Sequence, residues 1–466
     1  MAAVLATFVA ITLKGKSHMD SQASLLRRLN DKSLSTDEQA LLRCQLAKHF
    51  EDMGEQEAAR RAMGDLWQRI GERPRIEGLK QRTAAEVLLC AGVLTGWIGS
   101  SQQIAEAQET ARNLITESRT IFQSIKHGKK VAEAQSELAR CYFKEGRYDE
   151  ARVILKDTLA RLQTDSELKA LVILRRAIVE WGAAHYHEAL RILAEDAPLF
   201  EKVSKHVIKG SYHNQLAMIY RTLAEAGQRE YLDRAFIEYT AASFHFEEAK
   251  HKRYLANVEN NLGLLYFTAN RFTEAHKHLD YARLLMGSLK DKVGAARVDE
   301  TRARVFLAEG RNTEAEKVAQ LAVYTLEQNQ HHSLTEALIT HGRALARLRR
   351  HEQARLILYR AIELSEQSGA LNRAGEAALV IVRELGGQFE EVQTLSEKLP
   401  LLKELQRYEH DLIKQALISA GGSVTQAGRL LGISHQHIAY LIKKRHKDLL
   451  ALRTPAISRL KSVIKK

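Results

Sequence analysis

The chain is 466 residues long, too long for one simple core, so two or more domains or one extended array are expected. Only four prolines punctuate it, long Val/Ile/Thr alternations are nearly absent, and Leu, Ala, Arg, Glu and Gln dominate; this excludes a β-rich architecture and predicts an all-α fold. A formal net charge of +13 asks for an acidic partner without choosing among nucleic acid, membrane and protein.

The first 13 residues, MAAVLATFVAITL, are apolar but lack a basic flank and a clear cleavage site, and they are too short to span a bilayer. They read as a leader, or as the product of an upstream start with Met19 as the true first residue; a signal peptide is the rival reading. No later stretch reads as a membrane span, so no membrane partner is expected. Gly15-Lys16-Ser17 invites a phosphate-loop reading, which fails because the loop needs a glycine where the chain has Ala10. Cys44, Cys90 and Cys141 are odd in number, far apart and set in apolar helical pattern. They read as buried thiols in a reducing, cytoplasmic compartment, not as bridges or a metal knot.

From about residue 34 onward a small residue recurs twelve positions before an alanine: Ala47/Ala59, Ala139/Ala151, Ala177/Ala189, Gly263/Ala275, Ala303/Ala315 and Gly342/Ala354. Three positions after the first small residue stands an aromatic in most copies, Phe50, Tyr142, Tyr266 and Phe306, with Glu180 and Leu345 as departures. A turn lies between, as in Glu145-Gly146-Arg147-Tyr148 and Glu309-Gly310-Arg311-Asn312, where glycine permits the φ > 0 residue that ends a helix. Each unit is therefore a helix hairpin whose small residues let two backbones approach closely while the aromatic fills the wedge. Ala217/Ala235 carries an insertion around Gly227, and a degenerate hairpin fits around Val87–Ala111. About eight hairpins are expected over residues 34–366, with one or two more helices to Lys398.

In Ser136–Leu159 (SELARCYFKEGRYDEARVILKDTL) and Asn261–Ala282 (NLGLLYFTANRFTEAHKHLDYA) the chain resembles the tetratricopeptide family. Periods near 40 exceed that family's 34, so longer helices are expected. The resemblance implies a solenoid with an inner groove lined by first helices, in which a protein or peptide partner docks. First-helix asparagines Asn214, Asn257, Asn260 and Asn261 are candidates to present amides to an extended peptide there; inter-repeat hydrogen bonding is their structural alternative.

The histidine pairs His185/His187, His276/His278 and His331/His332 are spaced so that ring nitrogens fall on different faces of a helix, unlike the i, i+4 pairs that share a metal. No metal site, cofactor or catalytic arrangement is expected, and the chain does not read as an enzyme.

Function concentrates after Pro400, which can only stop one helix or start the next. A first helix to about Ala420 should bury Leu405, Tyr408, Leu412, Ile413, Ala416 and Leu417. Gly421-Gly422 ends it, and Ser423 caps a short helix, Val424–Leu431. Gly432-Ile433-Ser434 makes a sharp turn into a helix from His435 to about Lys447 that buries Ile438, Leu441 and Ile442. Ala427 and Gly428 let the two helices cross tightly. From Lys443 to the end stand nine basic residues against the single acid Asp448.

Tyr408–Lys444 is similar to the Fis-type helix-turn-helix, the DNA-binding unit also found at the end of bacterial enhancer-binding activators. The resemblance implies insertion of the His435–Lys444 helix into the major groove of double-stranded DNA. Ser423 and Thr425 match phosphate-contacting positions, and His435 and Gln436 match groove contacts. Gln426, Ser434, His437, Tyr440, Lys443, Lys444, Arg445 and Lys447 complete the candidate interface, the last lysines meeting phosphate. Family members usually carry arginine at His435 and threonine at His437, so base preference does not transfer; the ATPase domain of the activators is missing.

The chain therefore reads as a leader and first helix (1–33), a repeat array (34–398), a helix-turn-helix (399–450) and a basic tail (451–466). The leading function is a cytoplasmic, bacterial transcriptional regulator whose array docks a partner, acting as a homodimer on paired half-sites. The rival is a scaffold or adaptor whose basic C-terminus touches acidic protein or nucleic acid without sequence preference.

Overall fold

The computed structural model describes residues 22–31, 33–102, 104, 106–162, 166–385, 401–431 and 435–452, and holds no strand among them. The leader, Gly15-Lys16-Ser17, Pro400, the turn Gly432-Ile433-Ser434 and the tail beyond Leu452 lie outside the described residues. The chain divides into two compact units, Met1–Val380 and Ile381–Lys466.

In the first unit, α1 (residues 22–29) precedes eight helix pairs. They are α2 (Thr36–Asp52) with α3 (Gln56–Ala62), α4 (Gln81–Gln102) with α5 (Ala107–Ser124), α6 (Gly128–Lys144) with α7 (Tyr148–Arg161), and α8 (Ser166–Gly182) with α9 (Tyr186–Glu195). A short α10 (Ala197–Lys202) intervenes. Then follow α11 (His206–Glu225) with α12 (Tyr231–Glu248), α13 (Lys252–Thr268) with α14 (Phe272–Ser288), α15 (Lys292–Ala308) with α16 (Asn312–Gln328), and α17 (Leu334–Arg347) with α18 (His351–Gln367); α19 (Leu371–Val380) ends the unit. The unit is an all-α, tetratricopeptide-like solenoid of helical hairpins.

The twelve-residue spacing is explained at the crossing of each pair. Ala47, Ala59, Ala177, Ala189, Ala303, Ala315 and Ala354 are fully buried. A Cβ added at Gly263 would stand 2.5 Å from Leu279 Cγ, and one at Gly342 would stand 2.6 Å from Leu358 Cγ. Nothing larger than these residues fits where the helices meet.

The aromatic has a second role that spacing alone does not show. Seven of the eight first helices end on one residue with positive φ: Gly54, Gly146, Ala184, Gly227, Asn270, Gly310 and Arg349. The next amide then donates back to the carbonyl five residues earlier, Arg147 to Tyr142, Arg271 to Tyr266 and Arg311 to Phe306, each at 2.9 Å. Those arginines lay their guanidinium groups over the same rings, 4.6 Å from the Tyr142 centroid, 4.7 Å from Tyr266 and 4.3 Å from Phe306. Helix stop, wedge filler and cation form one clasp repeated in three hairpins, and Ala184, Asn270 and Arg349 show that the stop does not require glycine.

At the expected insertion, Gly227 takes a positive φ and Tyr220 stacks on Tyr231 at 5.4 Å across the longer turn. The window Gln81–Ser100 of α4 is long and apolar enough to cross a membrane, yet 78% of it is buried inside the unit, where Val87, Leu88, Ala91 and Leu94 feed the core. Cys44 on α2 and Cys90 on α4, distant in sequence, come close together; the neighbouring thiol and burial push the Cys90 thiol well up, and all three cysteines are free thiols.

In the second unit, α20 (Leu401–Ser419), α21 (Val424–Leu431) and α22 (His435–Lys444) are followed by a 3-10 turn, Lys447–Leu452.

Candidate nucleic-acid interface and the inner face of the array

α20 ends as its sequence requires. Gly421 and Gly422 both take positive φ, and the Gly422 amide donates to the Leu417 carbonyl at 2.8 Å. Ser423 then caps α21, its Oγ accepting from the Gln426 amide at 3.4 Å. Ala427 and Gly428 are buried at the crossing. α22 seats on this pair through Ile438, Leu441 and Ile442, which join Ile413, Ala416, Leu417, Ala420 and Leu449 in one small core.

The apolar stripe of α20 runs through Ile413, Ala416, Leu417 and Ala420, so Leu412 falls at its edge and is exposed rather than buried as expected. The side chains of Leu405 and Tyr408 lie outside those described. α22 stops at Lys444 rather than Lys447, because His446 turns inward. Its Nε2 lies 2.6 Å from Glu409 Oε1, and its amide donates to the Leu441 carbonyl at 3.1 Å.

The candidate contacts divide by surroundings. Thr425, Gln426, His435, Tyr440, Lys443, Lys444 and Lys447 are exposed, and Ser423 is half-buried in its capping role. Tyr440 and Lys443 stand opposite Ile438 and Ile442 on α22, as 100° per residue dictates. Ser434 lies outside the described residues, as do the side chains of Gln436 and His437. Arg445 is exposed but lies 3.3 Å from Glu409, so it faces the middle of α20 as well as solvent.

Sequence reasoning missed a polar clasp that holds the ends of this unit together. Besides Glu409 with His446, His410 Nε2 lies 2.6 Å from Asp448 Oδ2 and Nδ1 lies 3.1 Å from Asp411. Hydrogen bonds to Asp448 and then Asp411 hold the His410 imidazole above its usual range. Exposed Arg429 on α21 is a further cation that the sequence reading left out. The glutamate, aspartates and histidines are far apart in sequence, and no local pattern marks them as partners.

On the inner face of the first unit, the first hairpin reaches the sixth. Arg253 Nε donates to the Gly54 carbonyl at 3.5 Å across 199 residues. A Cβ on Gly54 would stand 2.6 Å from the ring of His251, itself stacked on Tyr254 at 3.8 Å. Tyr254 meets Trp97 at 6.2 Å, and Arg140 lies 4.5 Å over the Trp97 ring. Arg140 Nε donates to Glu137 at 2.9 Å, while its Nη2 is buried with no hydrogen-bond partner.

Charges alternate along this face. Lys130 bridges Glu86 at 2.8 Å and Glu133 at 3.0 Å, and Glu133 also holds Lys48 at 2.6 Å. Against desolvation, Arg175 and Arg140 hold Glu137 down to about 2. Glu51 is pushed up to about 7, by burial first and by Glu137 second.

The four candidate asparagines are all half-buried. Asn257, Asn260 and Asn261 share α13 with Tyr254, and Asn260 Oδ1 is buried without a partner. Asn214 lies on α11, its Nδ2 3.5 Å from Met218 Sδ. Among the described residues, no group of three His, Cys, Asp or Glu is arranged to hold a metal ion. His185, His276 and His278 instead pair with Glu180, Glu309 and Glu259.

Residues 101–172 match the tetratricopeptide repeat family, and residues 404–444 match the bacterial regulatory protein family of Fis type. No curated protein matches the chain. Among solved structures, a Rap protein complexed with competence and sporulation factor aligns at 13% identity, over 79% of this chain and 100% of that one, with a TM-score of 0.49. Aspartyl phosphate phosphatase F from Bacillus subtilis aligns at 11% identity over 77% and 91%, with a TM-score of 0.48. A signal transduction ATPase with a tetratricopeptide repeat sensor from Pyrococcus horikoshii aligns at 14% over 66% and 51%, with a TM-score of 0.45. The chain thus carries tetratricopeptide repeats, which suggest protein interaction, and a Fis-type helix-turn-helix, which suggests DNA binding.

Proposed function

We propose that the chain is a sequence-specific DNA-binding transcriptional regulator of the bacterial cytoplasm, whose array docks a protein or peptide partner. The observation that carries the DNA half is the division of α22. Ile438, Leu441 and Ile442 anchor it on α20 and α21, while Tyr440, Lys443 and Lys444 stand outward. A helix presented this way brings side chains to base edges, and the lysines at its C-terminal end meet phosphate. Two copies would read paired half-sites, since a ten-residue helix spans only a few base pairs.

The partner half is supported by the tetratricopeptide repeats and by the inner face, where Trp97 and Tyr254 lie beside Arg140 and half-buried asparagines line α13. Aromatic surface beside half-buried amide side chains suits an extended peptide, whose backbone supplies both acceptors and donors.

The test is selection of duplexes from a random pool by the full chain, followed by competition between a selected duplex and a scrambled one across a salt series. A selected sequence that outcompetes the scramble by about a thousandfold or more supports the regulator. Equal competition at every salt concentration would leave only non-specific binding, as expected of a scaffold with a basic end.

A further inference from the structure

The outer face of the first unit carries a bounded apolar patch that the DNA reading does not use. Six and nine positions after the buried alanine of each second helix, α14 presents Tyr281 and Leu284, and α16 presents Leu321 and Tyr324; α12 presents Phe244 at the later position. These five side chains are between 36% and 68% exposed, on three successive second helices. Counted from Ala189 of α9 the same positions hold Glu195 and Pro198, and on α18 they hold Arg360 and Glu363, so the aromatic and leucine pattern stops on both sides.

Between α14 and α16 lies a groove of about 180 Å³. Ala295 and Ala296 of α15, with Leu321 and Thr325, line it, and at its rim stand Lys292 and Arg283, the latter half-exposed and paired through Nε with Asp299 at 2.7 Å. On the other side of α14, Phe244 is followed three and four residues later by exposed Glu247 and Glu248, on the same face of α12.

We propose that α12, α14 and α16 form the contact between two copies of this chain. A two-fold axis through α14 sets α12 of one copy against the α14/α16 groove of the other. Phe244 then enters the alanine-floored groove, Glu247 and Glu248 meet Arg283 and Lys292, and Tyr281 and Leu284 meet their own counterparts. The patch holds both a knob with acidic flanks and a groove with a basic rim, one on each side of α14. A second copy of the same surface satisfies both at once, as an isologous contact requires.

The size agrees. At ~150–250 Å² for a large side chain, the open portions sum to about 500 Å² of mostly apolar surface. A standard interface buries about 800 Å² per partner, about 60% of it apolar.

The experiment is sedimentation equilibrium of the full chain without DNA at ~1–50 µM, a range that brackets a moderate dimer. The expected mass is twice the 52.6 kDa of one chain. Leu284→Glu with Tyr324→Glu should give a monomer with an unchanged helical circular-dichroism spectrum, because both side chains lie open to solvent. Glu248→Lys should weaken pairing about tenfold or more, and adding Lys292→Glu should restore it. Leu356→Glu, exposed on α18 beyond the patch, should change nothing. A monomeric wild type at the highest concentration would overturn the proposal, as would a dimeric Leu284→Glu/Tyr324→Glu variant or an equal effect of Leu356→Glu. Because the readout contains no DNA, failure here leaves the DNA-binding reading standing, and failure to select a duplex leaves the pairing standing.

Discussion

The array and the helix-turn-helix unit solve the same packing problem with very different margins. In the array the small-residue crossing recurs from hairpin to hairpin, and three of the hairpins add the aromatic wedge with its arginine clasp, so the loss of one contact is shared among neighbours. In the second unit one long helix and two short ones rest on one core of nine buried residues, and a polar clasp joins Glu409 and His410 of α20 to His446 and Asp448. A defect in the array should therefore be tolerated, and a defect in the core under α22 should not.

The sharpest way to break this comparison is Ile438→Ala. Ile438 is fully buried at the centre of the small core, and truncating such a residue costs about 2–5 kcal/mol. DNA affinity should be lost, while the thermal transition of the array, followed by helical circular dichroism, stays in place. Retained affinity would mean that α22 is held by something other than this core. Gly342→Val tests the other side. Its Cβ would meet Leu358 at 2.6 Å, an overpacking expected to cost about 1–3 kcal/mol, so the array transition should fall by several degrees with DNA affinity unchanged.

A smaller effect is expected from Lys443→Ala with Lys444→Ala. All duplexes should be weakened alike, and the slope of log affinity against log salt should flatten by about 2, because each lysine releases about one counterion. An unaltered slope would take both lysines out of the interface.

The smallest effect should come from Glu51→Gln. The folded state raises the carboxyl from its ordinary 4.5 to about 7, so it binds more protons than the unfolded chain between those values. Stability from this group is therefore present below about 4.5 and is lost as pH rises through about 7. The variant should melt above wild type at pH 8 and together with it near pH 4; coincident melting at both would show Glu51 to be freely solvated.

Much of both regions was legible in the amino-acid order. A helix crossing needs small residues at a fixed interval, so Gly263/Ala275 and Gly342/Ala354 mark their hairpins without any structure. Gly421-Gly422-Ser423 likewise marks a stop and a cap, and Ile438, Leu441 and Ile442 follow the helical period. These are local consequences of backbone geometry and side-chain volume, and a short window contains them.

Only the tertiary structure decided which distant residues meet. It set Gly54 against His251, Cys44 beside Cys90, and Glu51 close enough to Glu137 to raise its proton affinity. It turned His446 inward to Glu409 and ended α22 three residues early. It also left Phe244, Tyr281, Leu284, Leu321 and Tyr324 on a common outer face. Within the array, small rotations between successive hairpins add up to place such groups, and the sum depends on every packed crossing at once, so no stretch of sequence carries it alone.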